Sequence, residues 1–318
     1  MDISTSWFRQ STSSSEAWPI DRVLAAKRAS GLTVTVVIPA RNEAATVGQV
    51  VGRILGELVE GAGLVDEVVV MDSDSDDDTA RTAAAAGATV HRTVDVVPEA
   101  GSFPGKGEAL WKSLFVTSGD LLVFLDADLT VWSPQFVVGL LGPLLSQPDT
   151  LLVKGHYHRL SPPGSADDED GGRVTELVAR PLLNLLWPGL AGVVQPLAGE
   201  WGVRRSLLET LPVPVGYGVE LATLIDTFER HGLDALAQVD LGRRGHRNQP
   251  VRDLGVMAAE LLGVVHRRGA LIPGGALSPS LRQYDPVTGW TVRPVPTAER
   301  PPAVSEPSYA GRRLEATR

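Results

Sequence analysis

The chain has 318 residues, 43% of them hydrophobic, enough to bury a sizeable core as one large α/β domain or two small ones. A formal net charge of −9 excludes a broad nucleic-acid-binding surface but leaves room for a local basic pocket that takes phosphate. Cysteine is absent, which excludes disulfides, thiolate metal sites and a cysteine nucleophile.

Residues 1–16 are polar and Ser/Thr-rich, with no apolar core of signal-peptide length, and no later run approaches the roughly eighteen apolar residues of a membrane span. The expected setting is cytoplasmic, with no membrane and no nucleic acid as partner. Apolar runs at 34–39, 65–72, 89–91 and 121–125 predict strands. Helical spacing at 44–59, 77–87 and 107–117 alternates with them. That alternation is the signature of a mostly parallel sheet with flanking helices. A further strand is expected at 151–157, a Gly/Pro/Asp-rich loop at 161–172, and helices at 173–186, 218–230 and 251–268. From Gly274 onward the chain is proline-rich and is expected to be irregular.

The strand at 121–125 runs into Asp126 and Asp128, two carboxylates two residues apart. In an open α/β sheet the ligand crevice lies at the carboxyl ends of the strands, and hard oxygen ligands suit Mg²⁺ or Mn²⁺ bound together with phosphates. The first strand exits through Pro39, Ala40, Arg41, Asn42 and Glu43, where Asn42 can cap the next helix and Glu43 can favour its N-terminus. Asp72 and Ser73 close the second strand as candidates for base or ribose contacts. The acidic run 76–78 fits helix capping, since it lacks the glycine and distant glutamate of a calcium loop. Lys106 stands between Gly105 and Gly107 at a helix start, suited to a diphosphate. The spacing is not that of a P-loop, and no Gly-x-Gly-x-x-Gly follows the first strand. Gly172, Arg173, Val174 and Thr175 open another helix with free N–H groups, a guanidinium and a hydroxyl, a phosphate site built from local parts. From residues alone, His246 is a surface histidine among arginines, and Glu220 lies on a solvated helix face.

Taken in order, eight segments resemble the retaining GT-A glycosyltransferases that make glucosyl- or mannosyl-3-phosphoglycerate, the actinobacterial glucosyl enzymes above all. They are Pro39-Ala40-x-Asn42-Glu43, Asp72-Ser73, 105–111, Asp126-Ala127-Asp128, 171–183, Gln195-Pro196-Leu197-x-Gly199-Glu200, 216–220 and Arg244-x-His246-Arg247-Asn248. The resemblance implies a Rossmann-like GT-A fold. It divides the chain into an N-terminal extension (1–30), a nucleotide-sugar-binding half (31–150), an acceptor- and metal-binding half (151–273) and a tail (274–318). It implies that Pro39, Ala40, Glu43 and Ser73 hold the nucleoside, Lys106 the diphosphate, and Asp126 the ribose or sugar. Asp128 and His246 are the implied ligands of Mg²⁺ or Mn²⁺. Gly172, Arg173, Val174 and Thr175, assisted by Tyr217 and Asn248, would receive 3-phosphoglycerate. Glu220 would face the donor hexose, and the backbone carbonyl of Leu197 would assist front-face attack. The apolar helix at 251–265 suits a homodimer interface as well as a core.

Arg41, Ala44, Asp74 and Trp201 depart from the residues usual in the glucosyl enzymes. Together with the composition they lean the expected donor towards GDP-mannose, with UDP- or GDP-glucose as the other choice, in synthesis of mannosylglycerate or glucosylglycerate solutes. Two other classes share part of the pattern. A GT-A enzyme with a lipid or polysaccharide acceptor shares the Asp-x-Asp half, and a non-catalytic nucleotide-sugar-binding module would not need His246 or Glu220.

Overall fold

The computed structural model describes residues 3–160, 172–245, 251–269, 280–285 and 289–309. Its strands are β1 (Thr12–Ser14), β2 (Val34–Ala40), β3 (Glu67–Asp72), β4 (Thr89–Arg92), β5 (Leu121–Phe124), β6 (Leu152–Leu160), β7 (Trp201–Arg204), β8 (Val213–Pro214), β9 (Leu236–Gly245), β10 (Ser280–Asp285), β11 (Gly289–Pro294) and β12 (Glu299–Arg300). The α-helices are α1 (Ile3–Ser11), α2 (Ile20–Ser30), α3 (Val47–Ile54), α4 (Thr79–Ala85), α5 (Lys106–Ser113), α6 (Gln135–Ser146), α7 (Arg180–Leu186), α8 (Arg205–Leu208), α9 (Val219–His231) and α10 (Val251–Arg267). No helix among the described residues is long and apolar enough to cross a membrane.

Eight strands form one sheet in the order β1-β9-β6-β7-β5-β2-β3-β4. Only β7 runs against its neighbours; every other adjacent pair is parallel. The central strands are apolar along their whole length because helices cover both faces. Val36, Ile38, Val68, Val70 and Val123 pack on one side with residues of α3 and α6. Val37, Val69, Met71, Leu122 and Phe124 pack on the other with α5 and α9. The period of two thus feeds both layers from each strand.

The residues expected as an N-terminal extension are built into this sheet. β1 pairs with β9 in the register Thr12↔Gln238, and the Gln238 amide donates to Thr12 Oγ1 at 2.8 Å. Trp7 is buried and its indole N–H donates to the carbonyl oxygen of Leu233 at 3.0 Å. The proline-rich end also differs from expectation. β10 and β11 form an antiparallel pair, and β12 pairs with β8, because a proline ends a strand but need not interrupt the strands on either side of it.

Asn42 does not cap a helix. Its backbone is left-handed (φ 58°), its N–H donates to Ser75 Oγ at 3.0 Å, and its side-chain oxygen accepts from the Asp76 N–H at 3.0 Å. The turn leaving β2 points this side chain at the loop after β3, while α3 starts farther on at Val47. Asp77 does serve α4, accepting the Thr79 N–H at 2.9 Å.

Candidate active site

Because β2, β3, β5, β6 and β9 run the same way, their carboxyl ends reach one edge of the sheet, and a cavity of about 460 Å³ opens there. Every expected site residue within the described set lines it except Asp72, which is buried at the end of β3. Pro39, Ala40 and Glu43 come from the exit of β2, Ser73 from β3, and Asp126 and Asp128 from β5. Lys106 comes from the start of α5, Leu197 from the approach to β7, and Tyr217 and Glu220 from the start of α9. Gly172, Arg173, Val174 and Thr175 form the wall that leads into α7. His246, Asn248 and most of the loop at 161–172 lie outside the described residues.

Lys106 joins two carboxylates in the cavity. Its ammonium donates to Asp126 Oδ1 at 2.6 Å and meets Glu220 Oε1 at 2.8 Å. Burial works against the charge, but the Asp126 and Glu220 carboxylates outweigh it and raise Lys106 well above the ordinary lysine value, so it stays protonated. The helix start itself is already engaged. The N–H groups of Gly107 and Glu108 donate to the carbonyl oxygens of Gly216 and Val215 at 3.1 and 2.9 Å. A diphosphate here would therefore meet the lysine side chain rather than free helix N–H groups. Close packing explains the flanking glycines, since a Cβ on Gly105 (φ +136°) would sit 2.4 Å from the Val215 carbonyl oxygen and one on Gly107 1.8 Å from that of Pro214.

Arg244 ties the two carboxylates to the sheet, a role that sequence reading left unassigned. Its Nη2 lies 2.7 Å from Asp126 Oδ2 and 3.3 Å from Asp128 Oδ1, and its Nε donates to buried Glu200 Oε1 at 2.9 Å. Burial would raise Asp126, but Lys106 and then Arg244 hold it below the ordinary carboxylate range. Asp128 goes the other way, raised by burial and then by the neighbouring Asp126 charge. Its side chain is 27% exposed. It is a hard oxygen donor facing the cavity, raised despite the guanidinium of Arg244 at 3.3 Å, which fits a divalent cation. Among the described residues no cluster of three or more metal-ligating side chains forms. The second expected ligand, His246, falls in a segment that is not described.

Lys154, Arg159 and Glu260 were also not foreseen. Lys154 is buried in β6 and donates to the carbonyl oxygen of Ala198 at 2.8 Å, bracing the turn beside Leu197. Burial lowers it to about 8. Arg159 lines the cavity at the end of β6. Glu260 of α10 accepts the Tyr217 N–H at 2.5 Å, and a Cβ on Gly216 would sit 2.0 Å from its Oε2. A signal existed for Arg244, which shares the motif with His246. Glu260 had none, being one acidic position on an amphipathic helix.

Burial raises the Glu260 carboxyl from 4.5 to about 7; the Tyr217 N–H opposes the shift and Glu220 adds to it. The folded state then holds this proton more tightly than the unfolded chain, so its contribution to stability is lost as pH rises through about 7. Glu260→Gln keeps an acceptor for Tyr217 and cannot ionise. The variant is expected to match the wild type near pH 5 and to exceed it by roughly 1–2 kcal/mol near pH 8.5. Thermal melts at both pH values test this, and a gap that does not change with pH would refute it.

The sequence pattern of glycosyl transferase family 2 matches residues 35–168. Glucosyl-3-phosphoglycerate synthase of Mycobacterium tuberculosis (strain CDC 1551 / Oshkosh) is 45% identical over 95% of this chain and 92% of its own length. That of Mycolicibacterium smegmatis is 46% identical over 93% and 96%. A crystal structure of the M. tuberculosis enzyme with Mn²⁺, UDP-glucose and phosphoglyceric acid superposes with a TM-score of 0.80, at 46% identity, covering 91% of this chain and 95% of that one. The mixed sheet is accordingly the Rossmann-like GT-A fold, and the chain is an enzyme that transfers glycosyl groups. Similarity of this extent, running through nearly the whole chain and both walls of the cavity, shows that the chain belongs to the glucosyl-3-phosphoglycerate synthase family.

Proposed function

We propose that this enzyme transfers glucose from UDP-glucose to the free hydroxyl of 3-phosphoglycerate with retention of configuration, supported by Mn²⁺ or Mg²⁺. The observation that carries the reading is the meeting of Lys106, Asp126, Asp128 and Glu220 in one cavity with the Gly172–Thr175 wall opposite. The relatives named above act with glucose, and the lean towards mannose has no support from them. Two of the departures that motivated that lean have local explanations: Trp201 is fully buried with its ring 4.5 Å from that of Phe124, and Asp74 pairs with Arg92 at 3.5 Å. Nothing in the structure explains Ala44. Only Arg41 of the four lines the cavity.

Pro39, Ala40, Glu43 and Ser73 hold the nucleoside, and Asp126 lies beside the ribose or sugar. Asp128 and His246 hold the metal, which when bound neutralises diphosphate charge as a Lewis acid. Lys106, kept protonated by its two carboxylate neighbours, supplies positive charge where the departing diphosphate gains its negative charge. Glu220 orients the hexose. Arg173, Thr175 and the backbone of Gly172 and Val174 receive the acceptor phosphate, with Tyr217 and Asn248 beside them. The acceptor oxygen bonds to the anomeric carbon on the face from which the diphosphate leaves, its proton passes to a diphosphate oxygen, and the Leu197 carbonyl steadies the approaching hydroxyl.

The deciding experiment incubates purified protein with Mn²⁺ or Mg²⁺, 3-phosphoglycerate, and UDP-glucose or GDP-mannose in parallel. Glucosyl-phosphoglycerate should form at least about tenfold faster than the mannosyl product, a preference worth about 1.4 kcal/mol. A donor that binds but is never consumed with 3-phosphoglycerate would refute the acceptor assignment.

A further inference from the structure

Residues 93–105, which lead into Lys106, belong to no strand, and their short 3-10 turns leave several carbonyl oxygens without local partners. Two buried cations take up that task. Lys112 donates to the carbonyl oxygens of Thr93 and Gly101 at 2.7 and 2.9 Å. Arg300, nearly two hundred positions along the chain, donates to those of Ala100 and Gly101 at 2.7 and 3.0 Å. The same guanidinium forks onto Glu108, at 2.8 Å to Oε2 and 2.6 Å to Oε1, and lies 4.7 Å from the ring centre of Phe103 and 4.8 Å from that of Trp111. Glu108 Oε1 also accepts the Phe103 N–H at 3.3 Å.

The backbone around Arg300 reaches the same turn by a second route. β12 pairs with β8 in the register Arg300↔Val213, and the Val215 N–H donates to the carbonyl oxygen of Ala298 at 3.2 Å. The carbonyl oxygens of Val215 and Gly216 in turn accept the first N–H groups of α5. Arg268 anchors this segment from α10's end, bonding Glu299 Oε1 at 3.0 Å and Asp226 on α9. Glu108 and Arg300 are both buried, so a bidentate pair there is a rigid connection rather than a solvated surface contact.

We propose that Arg300 is a positioning residue of the donor site: through Glu108 and the 100–101 carbonyls, the segment 298–301 holds the turn that sets Lys106 against the nucleotide diphosphate. This rests on the reading of Lys106 given under Proposed function. It gives the proline-rich end of the chain a part in a reaction whose motifs all lie upstream of it.

The test is a double-mutant cycle in the full-length protein, with Arg300→Met, Lys106→Met and the pair, assayed with Mn²⁺, UDP-glucose and 3-phosphoglycerate. Arg300→Met is expected to lower kcat/KM for UDP-glucose by about 10–100-fold while leaving the acceptor KM within about threefold. In the Lys106→Met background the same change should cost less than about threefold. Equal losses in both backgrounds, or parallel rises in both KM values, would mean that Arg300 only supports the fold and would overturn the proposal. Should Arg300→Met fail to fold, Arg300→Lys, which keeps the charge but not the fork, is read by the same cycle with the same two outcomes. Amide exchange over residues 98–107 needs no substrate. It should quicken in the Arg300 variant, and unchanged exchange would overturn the proposal even if UDP-glucose proved to be the wrong donor. A wild type that turns over no UDP-glucose would instead refute the reading of Lys106.

Discussion

Asp128→Asn is expected to reduce metal-dependent turnover by at least about 10³-fold, equivalent to the several kcal/mol that a bound cation contributes to stabilising charge in such reactions. The substitution keeps the shape of the side chain and removes its charge. Asp128 is raised above the ordinary carboxylate range, by burial first and by Asp126 second, which makes it an uncomfortable anion in the metal-free protein. The variant should therefore melt at the wild-type temperature or slightly above it. Initial rates over a series of Mn²⁺ concentrations, beside a thermal melt, separate loss of chemistry from loss of fold. A variant that turns over within about tenfold of wild type would remove Asp128 from the metal site.

Arg244→Met is expected to destabilise the protein by about 3–5 kcal/mol, because it leaves the buried Glu200 carboxylate without its counter-charge. Arg244 is 3% exposed in its side chain and serves Glu200, Asp126 and Asp128 together. Burial opposes its own charge, but Glu200 foremost among its partners holds it ionised. Glu200 has no other cation within bonding distance among the described residues, and its Oε2 already lacks a hydrogen-bond partner. Without Arg244 it must take up a proton or go uncompensated in a dry interior. The melting temperature should fall by roughly 6–15 °C near neutral pH, and by less near pH 5, where protonating Glu200 relieves the charge. A loss of less than about 1 kcal/mol at pH 7 would show that water reaches the cluster.

What sequence could announce were features that depend on neighbours in the chain. β2, β3 and β5 are short apolar runs bounded by turn residues, and each ends on the residues that line the cavity, so strand and site were visible together. The start of α5 was legible for the same reason, as a lysine between two glycines. The partnership of Lys106 with Glu220 was not, because it joins α5 to α9 across the cavity. β7 and β9 were missed as strands. β7 is only four residues long, and β9 is broken by polar residues, of which Gln238 and Arg244 find their partners only after the sheet is assembled. Asn42 misled in the opposite way. A local cap was available, but a backbone N–H from the loop after β3 took its oxygen first.

The pairing of β1 with β9 sets an order on biosynthesis. Thr12 and Gln238 are 226 positions apart, so at about 5–20 residues per second a ribosome takes roughly 10–45 s between them. During that interval Trp7, buried in the folded protein, has no Leu233 carbonyl to meet. The parallel core β4-β3-β2-β5 is complete far earlier, by Phe124. Residues 12–14 are thus made well before the strand they pair with, and their docking waits on the synthesis of β9.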